Sequence, residues 1–240
     1  MDLAKPRLDV GLFTNRIDEM RAFYGERLGL QYETVLPLGG GMRQHRYLAS
    51  GSVIKLNHSR NPLPARTPGG YAGIIIAAAT VPAPQPLRDP DGNSLTLVPL
   101  GHNGIRGIAI ELGVTDESAF ERFYVGAMDC ARLEPGRVKL GDTVICFAHD
   151  PAARPAAEAT PAKTPLEVVS GMAALGIRYF TVQVLDCNAA YRRLVAAGVR
   201  QAMAPINFGA LARICFVRDP DGNVIEISQR AAEGRPLPLD

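Results

Sequence analysis

No apolar run in this chain approaches the ~20 residues that a helix needs to cross a bilayer, so no membrane span is expected. The N-terminal stretch MDLAKPRLDV lacks the apolar segment of a secretory signal. An excess of one charge is missing too: 26 basic and 24 acidic residues leave a net charge of +2, and the Lys and Arg residues are scattered. Neither nucleic acid nor an acidic membrane surface is an expected partner. Cysteine is sparse: Cys130, Cys146, Cys187 and Cys215 form no C-x-x-C pair and no disulfide-rich spacing. They read as reduced thiols in a cytoplasmic protein, each serving as a small core hydrophobe.

What the chain does contain is a repeat. RDPDGN occurs at Arg88–Asn93 and again at Arg218–Asn223, within 240 residues, enough for one large domain or two small ones. Asp-Pro-Asp-Gly is turn chemistry: Asp bonds the backbone ahead, Pro presets φ, and Gly permits φ > 0. Alternating β-formers follow each copy, Ser94-Leu-Thr-Leu-Val98 and Val224-Ile-Glu-Ile-Ser228, so each turn feeds a strand. A carboxylate, Glu226, follows only the second.

Upstream segments match as well. Asp9–Phe13 reads as a strand, followed by a capping-box-like start at Asn15 and a helix whose apolar face carries Met20, Phe23 and Tyr24. Gly107–Glu111, a Thr115 cap, Phe120, Phe123 and Tyr124 form the counterpart. Val53–His58 corresponds to Val144–His149. A third strand–helix unit begins at Tyr179–Val184, with Asp186 as cap and Gly198 as stop. The recurring unit is β-α-β-β-β, an α+β pattern.

LDVGLFTNRIDEMRAFYGERLGL and FVRDPDGNVIEIS resemble signatures of the vicinal oxygen chelate superfamily, which includes glyoxalase I, extradiol dioxygenases, methylmalonyl-CoA epimerase and bleomycin-binding proteins. The resemblance covers nearly the whole chain as two tandem domains, 7–100 and 105–230. It implies an α+β fold of tandem βαβββ modules forming two cupped sheets. One departure is large: AATVPAPQPL stands where the first domain needs a helix and two strands, and its prolines exclude a regular helix. The second module of the first domain is thus degenerate. The expectation is an incomplete cup in the first half and the better-formed cup, with any activity, in the second.

In that superfamily each cup typically holds one divalent metal on four strands. The resemblance places the ligand positions at Asp9, Lys55, Gly73 and Thr96 in the first domain and at Gly107, Cys146, Tyr179 and Glu226 in the second. The first set holds a cation and a glycine. In the second only Glu226 is a common ligand. No metal cofactor is therefore expected, the alternative being a divalent metal at Glu226. His45, His58, His102 and His149 read as solvated or locally bonded, with His58 and His149 on the sheet face opposite Lys55 and Cys146.

Without a metal, Glu226 and Tyr179 are the candidate catalytic residues, facing one apolar cup with the Tyr179 hydroxyl donating to the carboxylate. Cys146, Thr181, Gln183, Phe208 and Arg213 are the candidate ligand-pocket residues. Two readings stand open. One is a metal-independent binder of a small aromatic or carbonyl-bearing compound. The other is a metal-dependent or metal-free lyase, isomerase or dioxygenase-type enzyme using Glu226, as acid or base where no metal is bound; a relic carboxylate satisfied by Tyr179 stands beside both. The partner is a small-molecule ligand, and the chain is a monomer with internally paired domains or a homodimer. SRNPLPARTPGG and His149–Pro165 read as exposed crossovers, Leu166–Leu175 as a short helix, and RAAEGRPLPLD as an extended tail.

Overall fold

The computed structural model describes residues 1–65, 70–156, 160–232 and 237–238. Both RDPDGN turns fold in the same way. Asp89 Oδ1 accepts the backbone N–H of Asn93 at 2.8 Å and Asp89 Oδ2 accepts Asn93 Nδ2 at 2.7 Å. Asp219 holds Asn223 by the same two bonds, each 2.8 Å. Gly92 and Gly222 take φ of 81° and 88°, and Arg88 and Arg218 each donate to the carbonyl of that glycine. The Arg, the first Asp, the Gly and the Asn of the hexapeptide perform the same structural task in both copies.

Four modules follow in chain order. The first comprises β1 (Asp9–Thr14), α1 (Ile17–Arg21), β2 (Gln31–Gly39), β3 (Met42–Ala49) and β4 (Ser52–Ser59). The second has only β5 (Gly70–Ala78), β6 (Gln85–Arg88) and β7 (Ser94–Pro99). β6 forms within the proline-rich stretch where no helix was expected. The third comprises β8 (Ile108–Val114), α2 (Glu117–Glu121), β9 (Ala131–Glu134), β10 (Arg137–Leu140) and β11 (Thr143–His149). After α3 (Pro165–Met172) comes the fourth: β12 (Gly176–Gln183), α4 (Cys187–Ala196), β13 (Arg200–Phe208), β14 (Ala212–Arg218) and β15 (Val224–Arg230).

Local signals set most boundaries. Asp186 caps α4 by accepting from Ala189 N, and Gly198 follows it with φ of 77°. Thr164 caps α3, with Pro165 in the first turn, where its missing N–H costs no bond. Two expected caps are corrected. Asn15 does not cap α1; its side chain instead bonds Ser59 O, Asn61 O and Leu63 N, tying down the chain that leaves β4. Asp116, not Thr115, caps α2, because Thr115 donates to Asp221 of the distant turn. Among the described residues no helix is long and apolar enough to cross a membrane. Parts of both Pro-rich crossovers and most of the C-terminal tail lie outside the described residues.

The modules do not pair in chain order. One sheet has eight strands in the order β13-β14-β15-β12-β1-β4-β3-β2, joining the first module to the fourth. The other has seven, β6-β7-β5-β8-β11-β10-β9, joining the second to the third. The expectation that each half of the sequence closes its own cup is corrected. β1 runs antiparallel to β12 and parallel to β4, and β8 stands in the same relation to β5 and β11. The degenerate second module therefore depletes the seven-stranded sheet only. The eight-stranded sheet unites two complete modules.

Alternation assigns the faces of the larger sheet. Val10 and Leu12 of β1, Ile54 and Leu56 of β4, Phe180 and Val182 of β12, and Ile225 and Ile227 of β15 enter a core shared with Ile74, Ile110 and Ile145 of the other sheet. The opposite face is concave. Phe13, Tyr179, Ile214 and Phe216 pack there beneath Val168 and Met172 of α3.

Candidate functional site

The floor of this concave face is built by register. Gly11 of β1 pairs with Lys55 of β4 and with Tyr179 of β12. Asp9 pairs with Thr181, and Thr181 with Glu226 of β15. Residues expected in two separate cups thus meet in one. Lys55 Nζ lies 2.9 Å from Glu226 Oε2 and donates to Thr181 Oγ1 at 2.6 Å. Thr181 Oγ1 in turn donates to Glu226 Oε2 at 2.6 Å. The side chains of Lys55 and Glu226 are only 6% and 13% exposed, so this is a largely desolvated ion pair braced by a hydroxyl. The ammonium also sits 5.3 Å from the centroid of the Tyr179 ring.

Two polar groups flank the pair. On one side Asp9 accepts from Val53 N, Gln183 Nε2 and Lys5 Nζ. On the other, Gln44 and Asn57 each donate an amide N–H to the Tyr179 hydroxyl at 3.3 Å. Arg46 donates to Gln44 and to Glu33. Tyr179 does not donate to Glu226 as expected; Thr181 does, because it is the Cα partner of Glu226 while Tyr179 pairs with Val224. Burial first, and then the negative charge of Glu226, push the Tyr179 phenol far above its ordinary range, so it stays neutral.

Above this floor lies a cavity with apolar walls. Phe13, Leu36, Leu38, Phe208, Ile214 and Phe216 line it, and Pro165 and Val169 of α3 cover part of its mouth. Of the residues singled out from sequence, Glu226, Tyr179, Thr181, Gln183 and Phe208 all line this cavity. Two do not. Ala212, Ile214 and Phe216 face inward along β14, so Arg213 points away, bonding Asn188 Oδ1 and Asn207 Oδ1. Cys146 lies in the other sheet, because the third module pairs with the second. The cavity is not a property of the second half alone: Asp9, Phe13, Leu36, Leu38, Gln44, Arg46 and Lys55 come from the first.

The smaller cup differs. Glu111, not Gly107, stands at its first-strand position, paired with Cys146 and Gly73. A Cβ on Gly73 would lie 2.5 Å from Glu111 Oε2, so the glycine makes room for the carboxylate. Burial raises the pKa of Glu111 and of the Cys146 thiol. Aligning Phe23-Tyr24 with Phe123-Tyr124 equates Gly11 with Glu111, a signal present in the sequence. No such signal announced that Lys55 and Glu226 would meet.

The larger cup presents one carboxylate at its centre, Glu226, already engaged by the Lys55 ammonium and the Thr181 hydroxyl; Asp9 is held by its own three donors. Among the described residues no histidine lines this cavity. Among the described residues no group of three or more His, Cys, Asp or Glu is arranged to hold a metal ion. These residues do not fit a divalent metal, since such sites need several neutral or anionic donors converging on one point.

The sequence model of the Glyoxalase/Bleomycin resistance protein/Dioxygenase superfamily matches residues 108–227. No curated protein matches the chain. Glyoxalase I from Zea mays superposes with a TM-score of 0.66 at 14% identity, covering 93% of this chain and 92% of the maize chain. A dioxygenase candidate from Bacillus subtilis subsp. subtilis str. 168 gives 0.69 at 15% identity, covering 97% of this chain and 86% of its own. At these identities the likeness is one of fold.

Proposed function

Because the chain belongs to the Glyoxalase/Bleomycin resistance protein/Dioxygenase superfamily, we propose that it binds a small, largely apolar molecule in the cup between its first and fourth modules, and does so without a divalent metal. The observation that carries this reading is the Lys55 ammonium 2.9 Å from Glu226, at the centre of the cup floor. A divalent ion about 4 Å from that ammonium would meet a repulsion of about 8 kcal/mol at the effective dielectric of a protein site. The lysine supplies the positive charge that the carboxylate needs. The aromatic and aliphatic walls then favour a flat apolar ligand, and Gln44, Lys55, Thr181 and Gln183 provide hydrogen bonds at its inner end.

The test has two arms. Elemental analysis of the purified protein is expected to find no stoichiometric transition metal; one ion per chain would overturn the metal-free reading. A thermal-shift screen of small aromatic compounds is expected to find stabilising ligands. Val169→Trp, which fills the mouth of the cavity from α3, is expected to abolish those shifts. Shifts unchanged by Val169→Trp would move the ligand elsewhere.

A second reading, an enzyme, is favoured by one feature: a carboxylate, an ammonium and a hydroxyl in mutual contact can move a proton at a ligand's polar end.

A further inference from the structure

The basic residues of this chain are strongly biased. Of 26, arginine accounts for 22, and the lysines are Lys5, Lys55, Lys139 and Lys163. Lys55 is the only lysine among the described residues lining the cavity. Pairing a buried carboxylate does not call for lysine: an arginine fork matches a carboxylate better and stays charged. What lysine alone offers is a nitrogen that can lose its proton and attack. Lys55 Nζ has the means for both at hand. Glu226 Oε2 at 2.9 Å is placed to take the proton, and Thr181 Oγ1, touching both groups at 2.6 Å, can pass it between them. The Lys55 side chain is only 6% exposed and the walls above it are apolar, a poorly hydrated setting that favours an imine over its hydrolysis.

We propose that Lys55 is a nucleophile that captures an aldehyde or ketone ligand as a Schiff base, with Glu226 as proton carrier. This rests on the reading of the cup as a small-molecule site, and names the ligand's reacting group. Glu226 takes one proton from the Lys55 ammonium, and the freed electron pair on Nζ bonds to the carbonyl carbon. The carbonyl π pair moves to oxygen, which receives that proton from Glu226. Nζ then gives Glu226 a second proton; this protonates the new hydroxyl, the C–O bond breaks, and water leaves. The sum is ammonium plus carbonyl giving protonated imine plus water, with no oxidant or reductant. The iminium keeps the positive charge, so Glu226 never loses its counter-ion in the desolvated cup. That electrostatic continuity is what the ion pair contributes to the capture.

Reductive trapping on the full-length protein tests this. Benzaldehyde, a flat aromatic aldehyde suited to walls of Phe13, Phe208 and Phe216, is added with sodium cyanoborohydride, and the modified lysines are located by peptide mass spectrometry. Labelling by exposure alone would favour exposed Lys163 and leave buried Lys55 last. The expected result is the reverse, with Lys55 modified first. Glu226→Gln is expected to slow labelling of Lys55 by about a hundredfold, the usual worth of a general acid–base. Lys55→Arg keeps the charge of the cup and is expected to abolish the early adduct without transferring it to Lys5. Labelling in order of exposure overturns the proposal. Benzyl alcohol, which has the same shape and no carbonyl, is followed in parallel by thermal shift. If it stabilises the wild type while Lys55 stays unlabelled, the Schiff base falls and the binding site stands. If neither effect appears, both fall.

Discussion

Lys55 and Glu226 are 171 positions apart in the chain and form a charge pair at the centre of one cup. The first lies on a strand of the opening module and the second on the last strand of the closing one. Their contact exists only because β1 and β12 pair, and its consequences are measurable.

Breaking the pair from either side leaves a desolvated charge alone. Glu226→Gln or Lys55→Met is expected to cost about 3 kcal/mol in urea denaturation. Replacing both at once, Lys55→Met with Glu226→Leu, removes the charges together and is expected to recover most of that loss. Single costs that simply add in the double variant would show that the two side chains do not interact.

Gly11 carries a second dependence. A Cβ there would overlap the ring of Tyr179, whose hydroxyl is held by Gln44 and Asn57, so the ring would have to shift away from those bonds. Gly11→Ala is expected to destabilise by about 1–3 kcal/mol, the usual range for overpacking. In a Tyr179→Val background the same change is expected to cost little. An equal cost in both backgrounds would place its origin elsewhere.

Asp219 of the second RDPDGN turn sets a pH dependence. Burial raises its carboxyl from 3.8 to about 7, against the opposing pull of the bonds from Asn223. The folded state therefore holds more protons than the unfolded state between these values. Its contribution to stability is fully present below pH 3.8 and is lost as pH rises through about 7. Asp219→Asn, which cannot titrate, is expected to lack this slope, so that the stability difference between wild type and variant falls as pH rises between these two values. Parallel curves would mean that Asp219 does not titrate in that window.

Several features are local, and these were legible in the sequence. The RDPDGN turns follow from residue types at fixed offsets. The strands follow from alternation, the α4 cap and stop from Asp186 and Gly198, and the truncation of the second module from its prolines. Glu226 stood out as a carboxylate on the strand after a turn, and Thr181 and Gln183 as facing the same way as Tyr179 by strand alternation. Each of these depends on contacts within a few residues, or on a period along one strand.

Which modules share a sheet was decided only in three dimensions. A β-strand offers the same backbone donors and acceptors to any partner, so local patterning does not say whether β1 joins β5 or β12. That choice falls to the packing of complete modules against one common core. It moved Cys146 out of the site, turned the Tyr179 hydroxyl toward Gln44 and Asn57, and brought Asp9 and Lys55 to Glu226. A lysine that looked like an obstacle to a metal in one half thereby became the partner of the carboxylate in the other.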